Sequence, residues 1–351
     1  MFNFINSNNT EQYLIVMVGI PGSGKSTIAK QLAAVLGDDC KIFSSDEYRK
    51  NILGKEEDQT QNDKIFRMLY NDLRNYLSIG KSAIIDATNI NMKARSRIFH
   101  EVNKIKSELK FKIVAYIVNV PITVCIERDS QRKRSVGEDV IMKMVRRFQC
   151  PQYFEGFDLI KFDFDVSEDT AVGKKENQDI LSLMDSYDQE NPHHIFTLGG
   201  HCRALASNYE KGSWLYYAGL YHDVGKLTTR NVDEQGIAHY YDHDCVGAYN
   251  CCCFPELFKS NSHYLFLNMI MVINYHMKFH KDWRTEKYRK LFGDTLYNIL
   301  IDFAENDKKA SGTESIHQEL HKMIKEDKMC LEDIRQSNVY LQCLRLNLTI
   351  S

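Results

Sequence analysis

The chain has 351 residues, of which 43% are hydrophobic and 26% are charged, and its formal net charge is −2. This length suits two domains, and the near-neutral charge argues against a protein that coats long stretches of nucleic acid. The apolar run at 13–18 is too short to cross a bilayer, and no secretory signal is recognisable. With ten cysteines and no such signal, we expect reduced thiols, a cytoplasmic location and no membrane partner.

The charge of the chain is distributed unevenly between its two halves. Residues 1–165 contain 25 Lys and Arg against 21 Asp and Glu, whereas residues 166–351 contain 20 against 26. The stretch at 165–178 is polar and shows no apolar periodicity. We therefore predict a first domain at 1–165, a linker at 166–178 and a second domain at 179–351.

A complete phosphate-binding motif follows the first predicted strand. The segment YLIVMVG predicts a buried parallel strand, GIPGSGKST fills the pattern G-x-x-x-x-G-K-S, and an amphipathic helix continues to Gly37. In such a loop the backbone N–H groups and the helix dipole bind phosphate, Lys25 reaches the β- and γ-phosphates, and Ser26 binds the Mg²⁺ that accompanies ATP. The predicted ATP-binding residues are Gly22, Ser23, Gly24, Lys25, Ser26 and Thr27.

Two acidic residues follow predicted strands, at the edge where open α/β sheets bind ligands. Asp46 follows a strand that ends at Ser44, and Asp86 follows a strand that begins at Ser82. A kinase needs a carboxylate that accepts the proton of the attacking hydroxyl, and Asp46 suits that role. Asp46 could alternatively cap the helix that begins there, and the two roles can coexist. Asp86 is a candidate for water-mediated contact with Mg²⁺.

A basic segment lies at 128–147, with seven Lys and Arg against three acidic residues. Arg128 and Arg132 are one helical turn apart, so both could point toward the triphosphate as the arginines of a phosphoryl-transfer lid do. The alternative is an ordinary solvated charged surface.

The second half changes to helical patterns with few strand signals. The predicted helices are Ile195–Asn208, Trp214–Tyr221, Ser262–Asn274 and Tyr288–Phe303. Imidazole and carboxylate side chains lie at or near helical segments, beside apolar residues: His201, His222, Asp223, His243, His276 and Asp307. Any one of them could be a satisfied core or capping group. Because each is costly to bury without a partner, a shared metal would explain them all, and such ligands suit Mn²⁺, Fe, Ni²⁺ or Co²⁺.

Other residues in this half could take part or could be structural. Four further histidines are neighbours that could substitute as ligands: His193, His194, His239 and His280. Three adjacent cysteines at 251–253 lack the spacing of a zinc motif, and we expect them to pack inside a helix.

The motifs of the first half resemble those of the 5′-kinase domain of phage-type polynucleotide kinases. GIPGSGKST, SSDEYR, IIDATN and ERDSQRKR occur in that order over about 150 residues. The resemblance implies an α/β P-loop kinase domain, a parallel sheet flanked by helices. It also implies Asp46 as general base on a 5′-hydroxyl, Arg49 near the substrate phosphate, and Arg128 and Arg132 as the lid pair. The family often has an acidic residue before Thr-Asn, where this chain has Ala87. Small-molecule kinases carry similar segments.

The second half is similar to the HD-domain phosphohydrolases in its pattern H…HD…H…H…D, which includes HDVGK and HDCVGA. The resemblance implies an all-α domain in which His201, His222, Asp223 and Asp307 bind one metal. Asp223 would bridge to a second metal held by His243 and His276, and the two ions would activate a shared water for attack on phosphorus. Lys226 would neutralise a phosphate oxygen, although it could equally be a solvated lysine at a helix end.

The two resemblances together predict an enzyme that heals the ends of broken nucleic acid, similar to known fusions of such domains. It would phosphorylate 5′-hydroxyl ends with ATP and hydrolyse 2′,3′-cyclic phosphate or 3′- or 2′-phosphate ends of RNA or DNA, with an RNA ligase as a further partner. One alternative is a nucleoside or metabolite kinase joined to a nucleotidase. Another is a regulatory protein whose P-loop half binds nucleotide and gates the second half.

Overall fold

The computed structural model describes residues 2, 4–5, 11–56, 58, 60–106, 109–163, 179–253, 263–280, 283–311, 322–323 and 329–337. The chain divides into two compact units, Met1–Val166 and Ser167–Ser351. The predicted linker at 166–178 lies outside the described residues. Within the described ranges, no helix has the length and apolar character needed to cross a membrane.

The first unit is built on a parallel sheet of five strands in the order β2-β3-β1-β4-β5. The strands are β1 (Gln12–Val18), β2 (Cys40–Ser44), β3 (Ser82–Asp86), β4 (Phe111–Val118) and β5 (Leu159–Asp163). Strand β1 lies between two partners, with Ile15 opposite Ile84 on one side and Val114 on the other. Central strands of a parallel sheet are covered on both faces, which explains the continuous apolar run at 13–18.

Helices connect these strands. They are α1 (Lys25–Leu36), α2 (Ser45–Leu53), α3 (Asn62–Ser78), α4 (Met92–Lys106), α5 (Ile122–Ser130) and α6 (Glu138–Val145). Helix α3 buries Ile65, Leu69, Leu73 and Leu77, whose spacing of four residues forms one apolar stripe. The predicted α/β fold of the first unit is confirmed, and the carboxyl ends of its strands share one edge.

The second unit is mainly helical. Its helices are α7 (Leu198–Ala206), α8 (Trp214–Tyr221), α9 (Lys226–Thr229), α10 (His243–Cys253), α11 (His263–Phe279), α12 (Glu286–Ser311) and α13 (Leu331–Gln336), and residues 179–186 are also helical. Helix α8 has the predicted bounds, whereas the others shift by several residues. Helix α12 is interrupted at Gly293, where φ is +74°.

The helical character expected of this unit is consistent with the structure, which also contains a short hairpin. Strand β6 (Asn231–Val232) pairs antiparallel with β7 (Ala238–His239). Gly236, with φ of +77°, lies in the turn between them, a backbone conformation that glycine adopts without steric cost. This small hairpin leads directly into α10 and so positions the residues that begin that helix.

Helix α11 forms the core of the second unit, since all of its residues from Phe266 to His276 are buried. It packs against α8, α10 and α12. The three cysteines at 251–253 are buried within α10 and are free thiols, as the sequence indicated. His276, near the C-terminal end of α11, is therefore buried in the core of this unit.

A close approach of two backbones holds α9 and α10 together. A Cβ atom added to Gly225 would lie 2.1 Å from the carbonyl oxygen of His243 and 2.6 Å from the amide nitrogen of Gly247. Only glycine fits such a contact, which brings the chain at Asp223 against the first turn of α10.

We predict that Gly225→Ala destabilises the second unit by about 3 kcal/mol or more, because the added methyl group must displace backbone atoms. Thermal unfolding followed by tryptophan fluorescence measures this, since both tryptophans, Trp214 and Trp283, lie in this unit. The matched control is Gly236→Ala, where no atom lies within 4 Å of the added Cβ and only the positive φ opposes alanine. An equal loss of stability in both variants would show that the close approach at Gly225 is not the cause of the destabilisation.

Candidate functional site

The phosphate-binding loop lies at the carboxyl end of β1, as the motif predicts. The amide of Gly19 donates to the carbonyl oxygen of Thr88 at 3.1 Å, and α1 begins at Lys25 directly after Gly24, whose φ is +91°. A Cβ atom at Gly22 would lie 2.2 Å from the carbonyl oxygen of Cys125. The loop is therefore confined between α1 and the start of α5, and only glycine fits at that position.

Lys25 and Ser26 hold the loop in a defined shape. Lys25 Nζ donates to the carbonyl oxygen of Ile20 at 2.9 Å, and Ser26 Oγ donates to Asp86 Oδ2 at 2.7 Å. Burial lowers the pKa of Lys25 to about 8, while the carboxylates of Asp86 and Asp46 oppose that shift and the charge of Arg132 adds to it. Asp46, Asp86 and Arg132 therefore lie near enough to influence the charge of Lys25.

Asp46 and Arg49 form an ion pair in the first turns of α2. Ser44 caps this helix by accepting a hydrogen bond from the amide of Glu47 at 3.5 Å, so the alternative in which Asp46 is the cap is wrong. Asp46 Oδ1 accepts a bond of 2.5 Å from Arg49 Nη1, and its side chain is 62% exposed. Arg49 is buried and its Nε donates to Asn62 Oδ1 at 3.2 Å, which fixes the guanidinium beside an accessible carboxylate.

The two predicted lid arginines do not share a helix, which corrects the helical spacing inferred for them. Helix α5 ends at Ser130, and Arg132 lies in the turn that follows, where its Nη1 is 3.4 Å from Asp129 Oδ1. Asp129 causes this turn, because its buried Oδ2 accepts bonds from Ser135 Oγ at 2.7 Å and from the amide of Val136 at 2.8 Å. Arg128 and Arg132 are both exposed, so both are accessible to a ligand.

The second unit brings its predicted histidines and aspartates together in one buried cluster. His201 lies in α7, His222 and Asp223 in the turn after α8, and His243 is the first residue of α10. His276 and Asp307 lie near the C-terminal ends of α11 and α12. Each is at most 7% exposed. We call these six residues the His/Asp cluster.

Asp223 lies at the centre of the His/Asp cluster. Its Oδ2 is 3.5 Å from His201 Nε2 and 3.3 Å from His222 Nε2. Its Oδ1 is 2.9 Å from His243 Nε2 and 3.7 Å from His276 Nε2. Asp307 Oδ1 lies 3.0 Å from His201 Nε2 and 3.5 Å from His222 Nε2. The two oxygens of Asp223 therefore face two different groups of imidazoles.

Backbone hydrogen bonds fix the orientation of three imidazoles. The Nδ1 atoms of His222, His243 and His276 lie 2.9, 2.6 and 2.8 Å from the carbonyl oxygens of Gly219, Tyr240 and Ile273, each three residues earlier in the chain. A carbonyl oxygen only accepts, so each Nδ1 carries a hydrogen and each Nε2 faces the cluster, where its lone pair can bind a cation when the ring is neutral. These Nε2 atoms are buried and lack a hydrogen-bond partner.

The residues present fit divalent metal ions. A lone pair that faces a carboxylate is repelled by it unless a cation lies between them, and unpaired buried polar groups are costly. Two ligand atoms about 2.1 Å from one ion, at angles between about 90° and 109°, lie about 3.0–3.4 Å apart. The separations in the His/Asp cluster lie close to that range, between 2.9 and 3.7 Å. Two of the possible ligand groups are His201, His222 and Asp307, and Asp223, His243 and His276.

The charges of the cluster are strongly coupled. Burial favours the neutral acid of Asp223, yet His222, Lys226 and His243 hold its pKa well below the usual value. The same holds for Asp307, whose pKa is lowered by His222 and by bonds with His201 and His280. Burial lowers the pKa of His276, whereas the carboxylates of Asp223 and Asp307 overcome burial at His222 and raise its pKa well above the usual value. The site therefore stabilises bound positive charge.

Residues around the cluster have distinct partners. Lys226 is only 3% exposed, and its Nζ contacts Asp223 Oδ2 at 2.7 Å and Gln189 Oε1 at 2.8 Å, so the alternative of a solvated helix-end lysine is wrong. Among the further histidines, His280 Nε2 lies 2.9 Å from Asp307 Oδ2 and His194 Nε2 lies 3.3 Å from Lys226 Nζ. Gln189 could not be predicted from sequence patterns, because Lys226 is 37 residues away in the chain.

A cavity of about 520 Å³ opens onto the His/Asp cluster. His201, Asp223, His243 and Asp307 line it from the cluster, and Lys226 and Lys308 add positive charge. The hairpin and the residues after it supply further lining through His239, Tyr240 and Tyr241. The volume lies in the range of small-molecule sites, which is about 300–1,000 Å³.

Comparisons with known proteins bear mainly on the first unit. A family model described as an AAA domain matches residues 14–151, a range that contains the phosphate-binding loop. The first unit is a P-loop domain of the kinase-like α/β type. A curated relative, "Transcription factor bHLH140" of Arabidopsis thaliana, is 29% identical over 182 residues, which are 48% of this chain and 18% of that protein. The chain thus spans less than a fifth of the length of this relative.

Two solved structures show partial likeness. A chain of the Pnkp1/Rnl/Hen1 RNA repair complex is 22% identical, with a TM-score of 0.35, over 41% of this chain and 46% of its own. A chain of a Pnkp1/Rnl/Hen1 complex is 23% identical, with a TM-score of 0.30, over 37% and 44%. Both scores are too low to indicate a common overall fold.

We predict that the P-loop domain takes up a proton when it binds ATP with Mg²⁺ at about pH 8.5. Lys25 has a pKa of about 8 in the free protein and is then mostly neutral, whereas polyphosphate beside it favours the charged ammonium. Titration calorimetry in buffers of different ionisation enthalpy measures the uptake. Lys25→Arg is the control because arginine stays charged. Equal proton uptake in both proteins would show that Lys25 is not its source.

We also predict that Mn²⁺, Fe²⁺, Co²⁺ or Ni²⁺ stabilises the second unit in the absence of nucleotide. An ion at 100 times its dissociation constant stabilises a folded protein by about 2.7 kcal/mol. Melting followed by tryptophan fluorescence measures this gain, and Asp223→Ala should abolish most of it. His239→Ala is the matched control, because His239 pairs with Asp233 outside the cluster. A gain that survives Asp223→Ala would contradict the site.

Proposed function

We propose that this protein heals the ends of broken nucleic acid with two activities, a 5′-hydroxyl kinase in the P-loop domain and a phosphoesterase in the second unit. The observation that carries the proposal is the arrangement around Asp223, whose two carboxylate oxygens face two groups of buried imidazoles. That arrangement suits metal-assisted attack on a phosphate ester. In the same chain, a complete ATP-binding loop lies beside an accessible carboxylate.

The kinase half follows from the P-loop geometry. Asp46 would accept the proton of a 5′-hydroxyl as that oxygen bonds to the γ-phosphorus and ADP departs. Arg49 orients the Asp46 carboxylate through their ion pair and would also contact the substrate phosphate. Lys25, Ser26 and the loop amides would hold the triphosphate, with Mg²⁺ at Ser26. Arg128 in the last turn of α5 and Arg132 in the turn after it are both exposed, which suits residues that close over the nucleotide.

The hydrolase half follows from the His/Asp cluster. When bound, divalent ions would polarise the phosphate and lower the pKa of a bound water. The cluster residues would hold those ions, with His201, His222 and Asp307 on one side of Asp223 and with His243 and His276 on the other. Lys226 would stabilise negative charge on a phosphate oxygen. In hydrolysis, the oxygen of water bonds to phosphorus, one ester P–O bond breaks, and the leaving oxygen takes a proton.

Two activities on one chain are coherent because they act on different ends. RNA cleavage by many nucleases leaves a 5′-hydroxyl and a 2′,3′-cyclic phosphate, and joining requires a 5′-phosphate and a free 3′-hydroxyl. A ligase would then be the natural consumer of the product. A kinase and a phosphatase acting on the same end would cancel each other.

A kinase joined to a mononucleotide phosphatase is the second candidate. The cavity of about 520 Å³ favours it, because a mononucleotide fits within such a volume. The two candidates differ in whether oligomers or monomers are processed.

We predict that an RNA oligomer with a 5′-hydroxyl and a 2′,3′-cyclic phosphate is converted at both ends when ATP, Mg²⁺ and Mn²⁺ are supplied. Mass spectrometry reads both ends in one sample. Asp46→Asn should slow 5′ phosphorylation by about 100-fold or more, since general bases contribute at least that much, and should leave the 3′ reaction intact. Asp223→Asn should do the reverse.

Matched controls are Asp63→Asn in the first unit and Asp294→Asn in the second, both exposed carboxylates away from the two sites. Phosphorylation of nucleoside 3′-monophosphates without oligomers would favour the mononucleotide enzyme. No hydrolysis of any phosphate ester with any of the four metals would refute the hydrolase half.

A further inference from the structure

The cavity above the His/Asp cluster has an aromatic wall whose role is not explained by metal binding. His239 and Tyr241 stack with their ring planes 9° apart and their centroids separated by 5.7 Å, an offset arrangement. Both residues line the cavity. We call this pair the stacking platform.

The stacking platform is held in place from both sides. His239 Nε2 lies 2.8 Å from Asp233 Oδ2, and its backbone pairs with Asn231 in the hairpin. Asp233 is in turn fixed by the amides of Gln235 and Ile237, which donate to its Oδ1 at 2.9 and 3.0 Å. The histidine ring therefore cannot turn away without loss of its bond to Asp233.

Tyr240, which lies between His239 and Tyr241 in the sequence, connects the stacking platform to the His/Asp cluster. Its hydroxyl donates to the carbonyl oxygen of Gln189 at 2.6 Å, and its ring lies 5.6 Å from Lys226 Nζ. Its own carbonyl oxygen lies 2.6 Å from the Nδ1 atom of His243. A five-residue segment thus holds both the platform and one of the cluster imidazoles.

Tyr241 is exposed to solvent, although its neighbours His239 and Tyr240 are held by hydrogen bonds. It is 61% exposed, although Tyr240 beside it is 8% exposed. A tyrosine ring with its backbone fixed and its face open to a cavity loses little entropy when a flat ligand stacks on it. Base–aromatic stacking contributes about 1–3 kcal/mol per base and tolerates any base, because every base has a π-face.

We infer that the stacking platform binds the terminal nucleobase of the strand whose phosphate lies at the His/Asp cluster. This inference rests on the proposed hydrolase function and narrows its substrate class to phosphate esters that carry a nucleobase. Lys308, exposed on the same cavity, supplies positive charge for the next phosphate of the strand. Simple phosphate esters without a base would reach the cluster but gain nothing from the platform.

The test uses the full chain with Lys25→Ala, which removes nucleotide binding by the P-loop. The probe is a 5′-phosphorylated dinucleotide whose 3′-terminal residue is 2-aminopurine ribonucleoside 2′,3′-cyclic phosphate. Stacking quenches 2-aminopurine fluorescence, so binding is read without turnover and without added metal. We expect Tyr241→Ala to abolish most of the quenching and to weaken binding roughly tenfold, whereas Tyr241→Phe retains both.

Tyr264→Ala is the matched control, since Tyr264 is a similarly exposed tyrosine, 53%, at the opposite end of α11 from His276. Glycerol 1,2-cyclic phosphate is a substrate that lacks a nucleobase, and its hydrolysis is measured with Mn²⁺. Tyr241→Ala should leave that rate within about twofold of the parent, because no stacking is lost.

The outcomes separate this inference from the proposed function. Unchanged quenching in Tyr241→Ala would contradict base binding by the stacking platform. So would a loss of activity on glycerol 1,2-cyclic phosphate as large as the loss on the nucleotide substrate. If the parent hydrolyses neither substrate while quenching still depends on Tyr241, the hydrolase proposal fails and base binding stands. A melting curve for each variant confirms that the second unit is folded.

Discussion

The second unit depends on one costly arrangement, in which the carboxylate of Asp223 is buried among imidazoles in a helical core. Asp223 is 2% exposed, and its neighbours His222 and His276 are fully buried. Such groups are stable only if their charges are compensated. Lys226 supplies one compensating charge at 2.7 Å, and the backbone carbonyls at Gly219, Tyr240 and Ile273 orient the imidazoles. The fold therefore uses several of its helices to organise one electrostatic centre.

The two candidate sites favour ligands of opposite charge. The P-loop domain prepares a site for an anion, with backbone amides at a helix N-terminus and a lysine whose pKa is lowered by burial. The second unit prepares a site for cations, with imidazole lone pairs and carboxylates whose pKa values lie well below the usual range. In the proposed function both sites would act on phosphate, one by contact with its oxygens and the other through ions that polarise it.

The short hairpin of the second unit connects the His/Asp cluster to the rim of the cavity. Gly225 allows α9 to approach α10 closely, and this contact sets the position of His243 relative to Asp223. The residues that lead from β7 into α10 then place Tyr240 against Lys226 and leave Tyr241 exposed. Residues 239–243 therefore contribute His243 to the His/Asp cluster, Tyr240 to the contacts with Lys226, and Tyr241 to the rim of the cavity.

Features in which a local pattern carries the chemistry could be predicted from the amino-acid sequence. The glycine loop between a buried strand and an amphipathic helix, the strand edges at Asp46 and Asp86, and helix α8 could all be predicted, because their hydrogen bonds and periodicity are local. The identity of the six cluster residues could be proposed, since repeated polar groups beside apolar runs are costly without a shared ligand. Tertiary structure decided the rest. The buried Asp129 turns the chain before Arg132, Lys226 lies inside the core and not at a solvated helix end, Gln189 reaches it from another segment, and Tyr241 faces a cavity. The turn depends on how the buried Asp129 carboxylate is satisfied by residues six and seven positions later. The other features depend on contacts between segments distant in sequence, and local periodicity carries no information about either.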